Sequence, residues 1–308
     1  MDAEMSAGND AVAIARAKNK QRFINNVYGW AIILPSIILF SFFVWVPLFE
    51  SVRLSLYSAQ GFRRLEFVGL ANYRAVLNHP DFFPALRNTF SYTIWSVVIG
   101  FLVPVFIALL IGETTRGRGF FRTAAYFPNF VPGLASIIML SYFFRAGETG
   151  VINILLGHIG IGPMVWLSNP TIIIPLIVVI MTWSGAGSTS LIYMAGLAGV
   201  NRELYEAATI DGAGICSRIR YITFPMLYNL GSTLLILQII AVFQILFQPL
   251  VLTNGGPNNA SLSIMLLVFR FAFERFNYPQ AAAVSVLVSL ILVVLTAIYL
   301  KINKRKDY

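Results

Sequence analysis

The sequence predicts an all-α integral membrane protein, a helical bundle with six transmembrane helices. Of its 308 residues, 57% are hydrophobic and only 11% are charged, whereas soluble domains carry charge on about a quarter of their residues. The charged residues are also clustered, and because about 20 apolar residues cross a bilayer, each long gap between clusters can hold a helix. Asp, Glu, Lys and Arg are absent from residues 23–49, 88–112, 123–144, 149–201, 221–269 and 276–300.

Six spans fit into these intervals, with an interfacial lead-in at 221–229 before the fifth. The membrane domain is predicted at 28–300, between tails at 1–27 and 301–308. The first 20 residues lack a long apolar core, so we expect a tail there rather than a cleavable signal. The spans are placed at about 28–48, 89–111, 124–144, 171–193, 230–252 and 279–300.

Basic residues set the predicted orientation, because Lys and Arg are retained on the cytoplasmic side. With the amino terminus inside, the inner segments hold every lysine and the larger share of the basic residues. We therefore expect both termini in the cytoplasm of a multi-pass inner-membrane protein. On the outer side we expect short interfacial helices near 72–77 and 82–86 and an amphipathic surface helix at 261–275. The formal charge of +9 would suggest a nucleic-acid partner only if the basic residues formed a patch on a soluble face. Here they cap membrane helices, so we expect no nucleic-acid partner.

Residues 201–225 form a polar segment between spans four and five. Asn201 can N-cap a first short helix. Asp-Gly-Ala-Gly at 211–214 supplies turn chemistry. A second segment from Ile215 is expected to end before Pro225, because proline disfavours helix in the residue that precedes it. The pattern predicts a helical elbow on the cytoplasmic side.

Enzymatic chemistry is not predicted for this chain. Glu206 and Asp211 have no neighbouring histidine or nucleophile in the sequence, and Cys216, the single cysteine, excludes an internal disulfide and a cysteine-cluster metal site. The sequence contains no G-x-x-x-x-G-K-[ST] run, so it lacks the phosphate-binding loop of an ATPase. The predicted spans hold no Asp, Glu, Lys, Arg or His, which argues against an ion-coupled secondary transporter. That class and a noncatalytic receptor or scaffold are the alternatives.

The polar residues within the spans are uncharged and are accompanied by aromatic rings. Amides and hydroxyls can bind sugar hydroxyls while aromatic faces cover a sugar ring, so the set suits a neutral or weakly charged carbohydrate. The same residues can instead hold helices together. The FPNFVP run at 127–132 predicts a cavity wall, or else a kink that only improves packing. The residues concerned are Asn129, Ser184, Ser188, Gln238, Gln244, Gln248, Trp95, Trp183, Phe243 and Phe247.

One motif in the polar segment resembles a known family. Glu206-Ala207-Ala208, then Gly212, then Ile222-Thr223-Phe224-Pro225 are similar in residues and spacing to the EAA loop of permease subunits from binding-protein-dependent ABC importers; Phe224 replaces the commoner leucine. Further segments resemble the carbohydrate branch, with its maltose-type and glycerol-phosphate-type first permeases. These are FVGLANYRAVL at 67–77, WSGAG at 183–187, LIYMAGLAGV at 191–200 and LTNGGPNNAS at 252–261.

The resemblance implies a non-ATPase permease subunit that binds no cofactor itself. Its implied partners are a second permease, expected to be a different chain, two cytoplasmic ATPase subunits that bind ATP and Mg²⁺, and an extracytoplasmic solute-binding protein. The implied cargo is an oligosaccharide or sugar derivative. The residues implied in coupling to the ATPase are Glu206, Ala207, Ala208, Asp211, Gly212, Ala213 and Gly214. Those implied in the substrate pathway are Asn129, Gly133, Trp183, Ser184, Gly185, Ser188, Gln238, Ala241, Val242 and Ile245.

Overall fold

The computed structural model describes residues 21, 24–60, 63–114 and 116–303. Most of the two predicted tails, 1–27 and 301–308, lies outside these residues. The chain divides into two units, residues 1–54 and 55–308. The first unit contributes nearly all of helix α1 (Ile24–Ser55). This helix extends beyond the predicted span at both ends, and its last turns carry an ion pair between Glu50 and Arg53 with a nitrogen–oxygen distance of 3.0 Å.

The second unit opens with a feature that the sequence did not predict, an antiparallel hairpin of strands β1 (Tyr57–Gln60) and β2 (Arg63–Phe67). Helix α2 (Ala71–Leu77) follows and confirms the short helix expected near 72–77. The Asn72 amide donates to the carbonyl oxygens of Ser55 (2.9 Å) and Tyr57 (3.0 Å), which joins α2 to the start of the hairpin.

The remaining helices of the second unit are named in chain order. They are α3 (Phe82–Glu113), α4 (Arg118–Phe130), α5 (Gly133–Phe143), α6 (Val151–Gly157), α7 (Ile173–Ala198), α8 (Arg202–Ile210), α9 (Ile215–Phe243), α10 (Phe247–Thr253), α11 (Ile264–Phe269, followed by a π-helical turn Arg270–Glu274) and α12 (Tyr278–Asn303). Residues 82–86 are helical as expected, but they form the first turns of the long helix α3 and not a short helix of their own.

The six-span prediction is confirmed when α4 and α5 are counted as one broken span. Helices α1, α3, α7, α9 and α12 are each long and apolar enough to cross a membrane, and the α4–α5 pair meets the same criteria with a bend of 97°. The bend lies at the FPNFVP run. Pro132 cannot continue α4 because it has no N–H, and its own carbonyl instead accepts from Ser136 N in the first turn of α5 (2.9 Å).

The fifth span was predicted wrongly at both ends. Helix α9 begins at Ile215 and passes through Pro225, so the end expected before Pro225 is wrong, and 221–229 is helical and continuous with the span. A π-helical turn, in which Phe224 N–H bonds Ile219 O, widens the helix where the proline ring enters. Beyond Phe243 the chain leaves the helix. Pro249 cannot donate to the carbonyl of Ile245, and the Ser263 hydroxyl donates to that carbonyl instead (2.7 Å).

Within the segment 261–275, residues 264–274 are helical as expected, but the segment does not lie on the surface. Leu262, Leu266 and Phe271 are fully or almost fully buried in a core formed with α2, α3 and α12, whereas Phe273 is 63% exposed. The apolar stripe therefore packs against protein rather than lipid. One end of the bundle carries this segment, the 254–261 loop and the amino-terminal ends of α3 and α7. We call it the loop end.

Candidate functional site

The opposite end of the bundle, which we call the elbow end, is built on helix α8. Asn201 caps the helix as predicted, because its side-chain oxygen accepts from Glu203 N (3.0 Å). Two contacts hold α8 against the start of α9. Tyr205 OH lies 2.9 Å from Thr223 Oγ1, and Arg218 Nη1 donates to Thr209 Oγ1 (3.3 Å). The elbow therefore has a fixed position relative to the span that follows it.

The turn after α8 explains why the motif has a glycine at 212. Ala213 N donates to Ala208 O (2.8 Å) and Gly212 N to Thr209 O (3.1 Å), the bond pair of a Schellman cap. This cap places Gly212 in the left-handed region at φ +77°, where a residue with a Cβ is strained. Gly214 has an ordinary φ of −67°. The backbone conformation therefore requires glycine at 212 but not at 214.

The predicted coupling residues form one open surface. Glu206, Ala207, Asp211, Gly212 and Gly214 are exposed, and Ala208 and Ala213 are half-buried. Nothing lies within 4 Å of a Cβ placed on Gly212 or Gly214. Since the turn leads directly into α9, a partner that binds this surface can displace a membrane span without an intervening loop.

The amide nitrogen of Gln238 is engaged within the bundle. Its Nε2 donates to the Ser96 carbonyl oxygen (2.8 Å) and Ser96 Oγ (2.6 Å), and so joins α9 to α3. A Cβ on Gly100 would lie 2.6 Å from this nitrogen, so the glycine leaves room for the bond. Ala241 and Gly185 line a cavity of about 320 Å³ beside Gln238. Val242 and Ile245 are only 2% and 3% exposed and belong to the apolar core.

Trp183 lies in a different cavity of about 350 Å³, between α3, α4 and α7, where Pro128 is part of the wall. Asn129 is half-buried and donates to Tyr126 O (3.3 Å). The hydroxyls of Ser184 and Ser188 donate to carbonyls of their own helix, and Gly133 is exposed at the start of α5. The structure therefore does not bring the predicted pathway residues together. Gln238, Ala241, Val242 and Gly185 line one cavity, Trp183 lines another and Ile245 lies in the core, whereas Asn129, Gly133, Ser184 and Ser188 line neither cavity.

Gly187 sets the distance between α7 and the broken span. A Cβ at this position would overlap the backbone of Ala125 and Tyr126, just before the bend between α4 and α5. Gly185, two residues earlier on a different face of α7, has nothing within 4 Å of its Cβ position. The close approach of α7 to the broken span therefore depends on Gly187 and not on Gly185, the other glycine of the WSGAG segment.

The largest described cavity near the loop end was missed by the sequence analysis. It measures about 860 Å³ and is lined by α3, the start of α7 and the 254–261 loop. Arg87, Ser91 and Trp95 face it from α3 at intervals of four residues, which places them on one side of a helix. This spacing was a signal available in the sequence. It was overlooked because the second span was predicted to begin at residue 89, beyond Arg87.

A polar network holds the loop beside this cavity. Asn259 Nδ2 donates to Asp81 Oδ1 (2.8 Å), and Arg275 Nη2 lies 3.6 Å from Asp81 Oδ2. The Asn88 amide donates to Asn259 O (2.7 Å), which ties the loop to α3. Burial, and then the Arg275 guanidinium, lower the pKa of His79, while Asp81 acts in the opposite direction. Neutral His79 is therefore the favoured form beside Arg275.

We expect Gln238→Leu to reduce the stability of the bundle. The substitution removes two interhelical hydrogen bonds, and such bonds contribute about 1 kcal/mol in membrane proteins. Thermal unfolding in detergent measures the effect as a lower Tm. Gln248→Leu is the matched control, because the Gln248 amide makes no hydrogen bond within the described residues. Equal Tm values for the two variants would contradict a structural role for Gln238.

Comparison with known proteins gives consistent results. The family described as "Binding-protein-dependent transport system inner membrane component" matches residues 100–308. The trehalose/maltose transport system permease protein MalF of Thermococcus litoralis is 31% identical, over 94% of this chain and 98% of its own length. The lactose transport system permease protein LacF of Rhizobium radiobacter is 32% identical, over 88% of this chain and 92% of its own length.

Solved structures share the fold. A bacterial ABC transporter involved in the import of the acidic polysaccharide alginate contains a chain that matches with a TM-score of 0.80 at 24% identity, over 91% of this chain and 96% of that one. The alginate transporter in complex with its alginate pentasaccharide-bound periplasmic protein matches with a TM-score of 0.82, also at 24% identity. The helical architecture described above is therefore one found in ABC importers.

Proposed function

The chain belongs to the family of binding-protein-dependent transport system inner membrane components, and from this premise we propose that it forms half of the translocation pathway of an ATP-driven carbohydrate importer. It is a multi-pass membrane protein. In the proposed orientation both termini and the elbow end face the cytoplasm, and the loop end faces outward. The carbohydrate cargo is supported by the names of relatives that transport trehalose, maltose or lactose.

The observation that carries the proposal is the construction of the elbow. An exposed, capped helix is followed by a Schellman turn and then by a span that is helical from Ile215 to Phe243. Because the chain lacks a phosphate-binding loop, the ATP and Mg²⁺ are bound by separate ATPase subunits. When those subunits close, they move α8, and α9 moves with it. This chain therefore couples hydrolysis to transport without being an ATPase itself.

The proposed pathway runs along α3, α7 and α9. Trp183 and the cavity beside Pro128 supply an aromatic surface, and Gly185 and Ala241 keep the neighbouring cavity open. Asn129, Ser184 and Ser188 supply hydrogen-bonding groups nearby. Gln238, Val242 and Ile245 support these walls from within the bundle. The other half of the pathway comes from a second permease subunit, and an extracytoplasmic binding protein delivers the solute.

Crosslinking from the single cysteine tests the proposal. Cys216 is exposed and lies four residues after Gly212. A bifunctional thiol–amine reagent applied to the complex purified in mild detergent is expected to join Cys216 to a co-purifying subunit that carries a Walker-type ATP site. Cys216→Ser should abolish the product. Recovery of the chain with no ATPase subunit would contradict the proposed function.

A further inference from the structure

The cavity of about 860 Å³ at the loop end has features of a ligand site rather than of a packing defect. It is lined by Arg87, Ser91 and Trp95 on α3 and faced by the start of α7 and the 254–261 loop. Trp95 is 39% exposed and Arg87 is exposed as well. Arg87, which precedes the predicted second span, and Trp95 thus present a cation and an indole to the same cavity.

Arg87 has no anionic partner within the described residues. None of their ion pairs includes it, and Asp81, the acidic residue that comes shortly before it in the sequence, is engaged by Arg275 and Asn259. A guanidinium offers five donors in a planar fork, and this geometry matches a carboxylate or a phosphate. An anionic group is therefore the chemistry that would complete this cavity.

The cavity continues toward Trp183. Steps of four residues lead along α3 from Trp95 to Ile99 and Val103, and Ile99 and Val103 line the Trp183 cavity. On α7 the same step leads from Pro175 in the loop-end cavity to Val179 beside Trp183. Residues four apart share a helical face. The two cavities thus follow one another along one face of α7, and along α3 across the π-helical turn Ser96–Phe101, where the helical register changes.

Arg87 and Trp95 are separated by about 12 Å along the helix, since each residue rises 1.5 Å. One sugar unit is too short to contact both side chains, whereas an oligosaccharide can place a charged substituent at Arg87 and a ring against Trp95. We propose that the loop-end cavity is the first subsite for an acidic oligosaccharide and that Arg87 selects cargo bearing carboxylate or phosphate groups. This inference rests on the proposed function and narrows its cargo from carbohydrates to acidic ones.

Thiol protection in the assembled importer tests the proposal. In a Cys216→Ser background, Ser91→Cys places one thiol in the cavity, and Phe273→Cys places a control thiol on the exposed side of the loop end. The complex is held in phosphatidylcholine nanodiscs, and labelling rates are measured with two probes, trigalacturonate and maltotriose. We expect trigalacturonate to protect the cavity thiol at about a tenfold lower concentration than maltotriose, because a charge-assisted hydrogen bond is the stronger interaction. The control thiol should be unprotected.

Arg87→Gln should remove the difference between the concentrations at which the two probes protect the cavity thiol, and Arg87→Lys should keep part of that difference. Equal protection by both probes, protection by neither, or a preference unchanged in Arg87→Gln would overturn the proposal. Protection by phosphatidylglycerol nanodiscs alone would also overturn it, because Arg87 would then contact a lipid headgroup. Failure of the cavity thiol to label in the assembled complex would overturn it as well, because the second permease would then cover the cavity. If these results occur while the ATPase still crosslinks to Cys216 in the parent chain, only the acidic cargo fails. Loss of the ATPase would refute the proposed function.

Discussion

Gly212→Pro is expected to uncouple ATP hydrolysis from uptake. The native φ of +77° cannot be reached by proline, whose φ is fixed near −65°, and the substitution also removes the N–H that bonds Thr209 O. The local cost of about 3 kcal/mol corresponds to roughly a 100-fold shift away from the native turn. Reconstituted complexes should still hydrolyse ATP while uptake falls by a similar factor.

Gly160→Pro is the matched control for this experiment. Gly160 has φ +78°, open space around its Cβ position and an N–H that donates to Gly157 O at 3.1 Å, the same distance as the bond made by Gly212. It lies in the loop before α7, away from the elbow. The control should retain coupling. A similar loss of uptake in both variants would mean that backbone strain, and not the elbow, is responsible.

Glu206→Lys probes the same surface without changing the backbone. The side chain is exposed on α8, so the substitution should leave insertion and Tm unchanged. Glu148→Lys, an exposed charge reversal outside the elbow, is its control. Normal coupling in Glu206→Lys and Gly212→Pro together would refute the role assigned to the elbow.

Gly187→Ala is expected to destabilise the bundle strongly. The new methyl group would overlap the backbone of Ala125 and Tyr126, and because backbone cannot rotate away, α7 and the broken span must separate. Overpacking of this kind costs about 3 kcal/mol, near the upper end of the usual range. Thermal unfolding should give a clearly lower Tm, with reduced recovery of folded protein.

Gly185→Ala gives the opposite expectation in the same helix. Its Cβ position is empty, and replacing glycine by alanine in a helix interior contributes up to about 1 kcal/mol of stability. The Tm should stay constant or rise. Equal Tm values for the two alanine variants would show that α7 and the broken span do not make the close contact described above.

Several features of the fold followed from local rules. Charge-free intervals located the six spans, and Asn201 and Gly212 could be assigned to a helix cap and a turn because each depends on only a few neighbouring residues. Helix ends were less predictable. Pro225 stays within α9 because a π-helical turn accommodates it. The helix ends at Phe243, and in the break that follows a distant hydroxyl, Ser263, donates to the Ile245 carbonyl that Pro249 cannot reach.

The site was harder to predict than the fold because, like the helix ends, it depends on contacts between residues far apart in the sequence. The sequence identified Gln238 as polar and membrane-embedded, but only the packed structure shows that its amide bonds Ser96. Arg87 and Trp95 had a recognisable spacing, yet their common cavity also requires the 254–261 loop, which is far away in the sequence. Contacts between distant segments decide which polar groups remain available to a ligand.

The continuity of α9 restricts how the pathway can open. At 1.5 Å per residue, its 29 residues extend about 44 Å, and the π-helical turn beside the elbow is the point at which its hydrogen-bond register changes. We therefore expect α9 to bend at this turn and the remainder of the helix to move as one unit. In the proposed importer we therefore expect concerted gating on this side of the pathway: the elbow end and the loop end of α9 change together instead of one after the other.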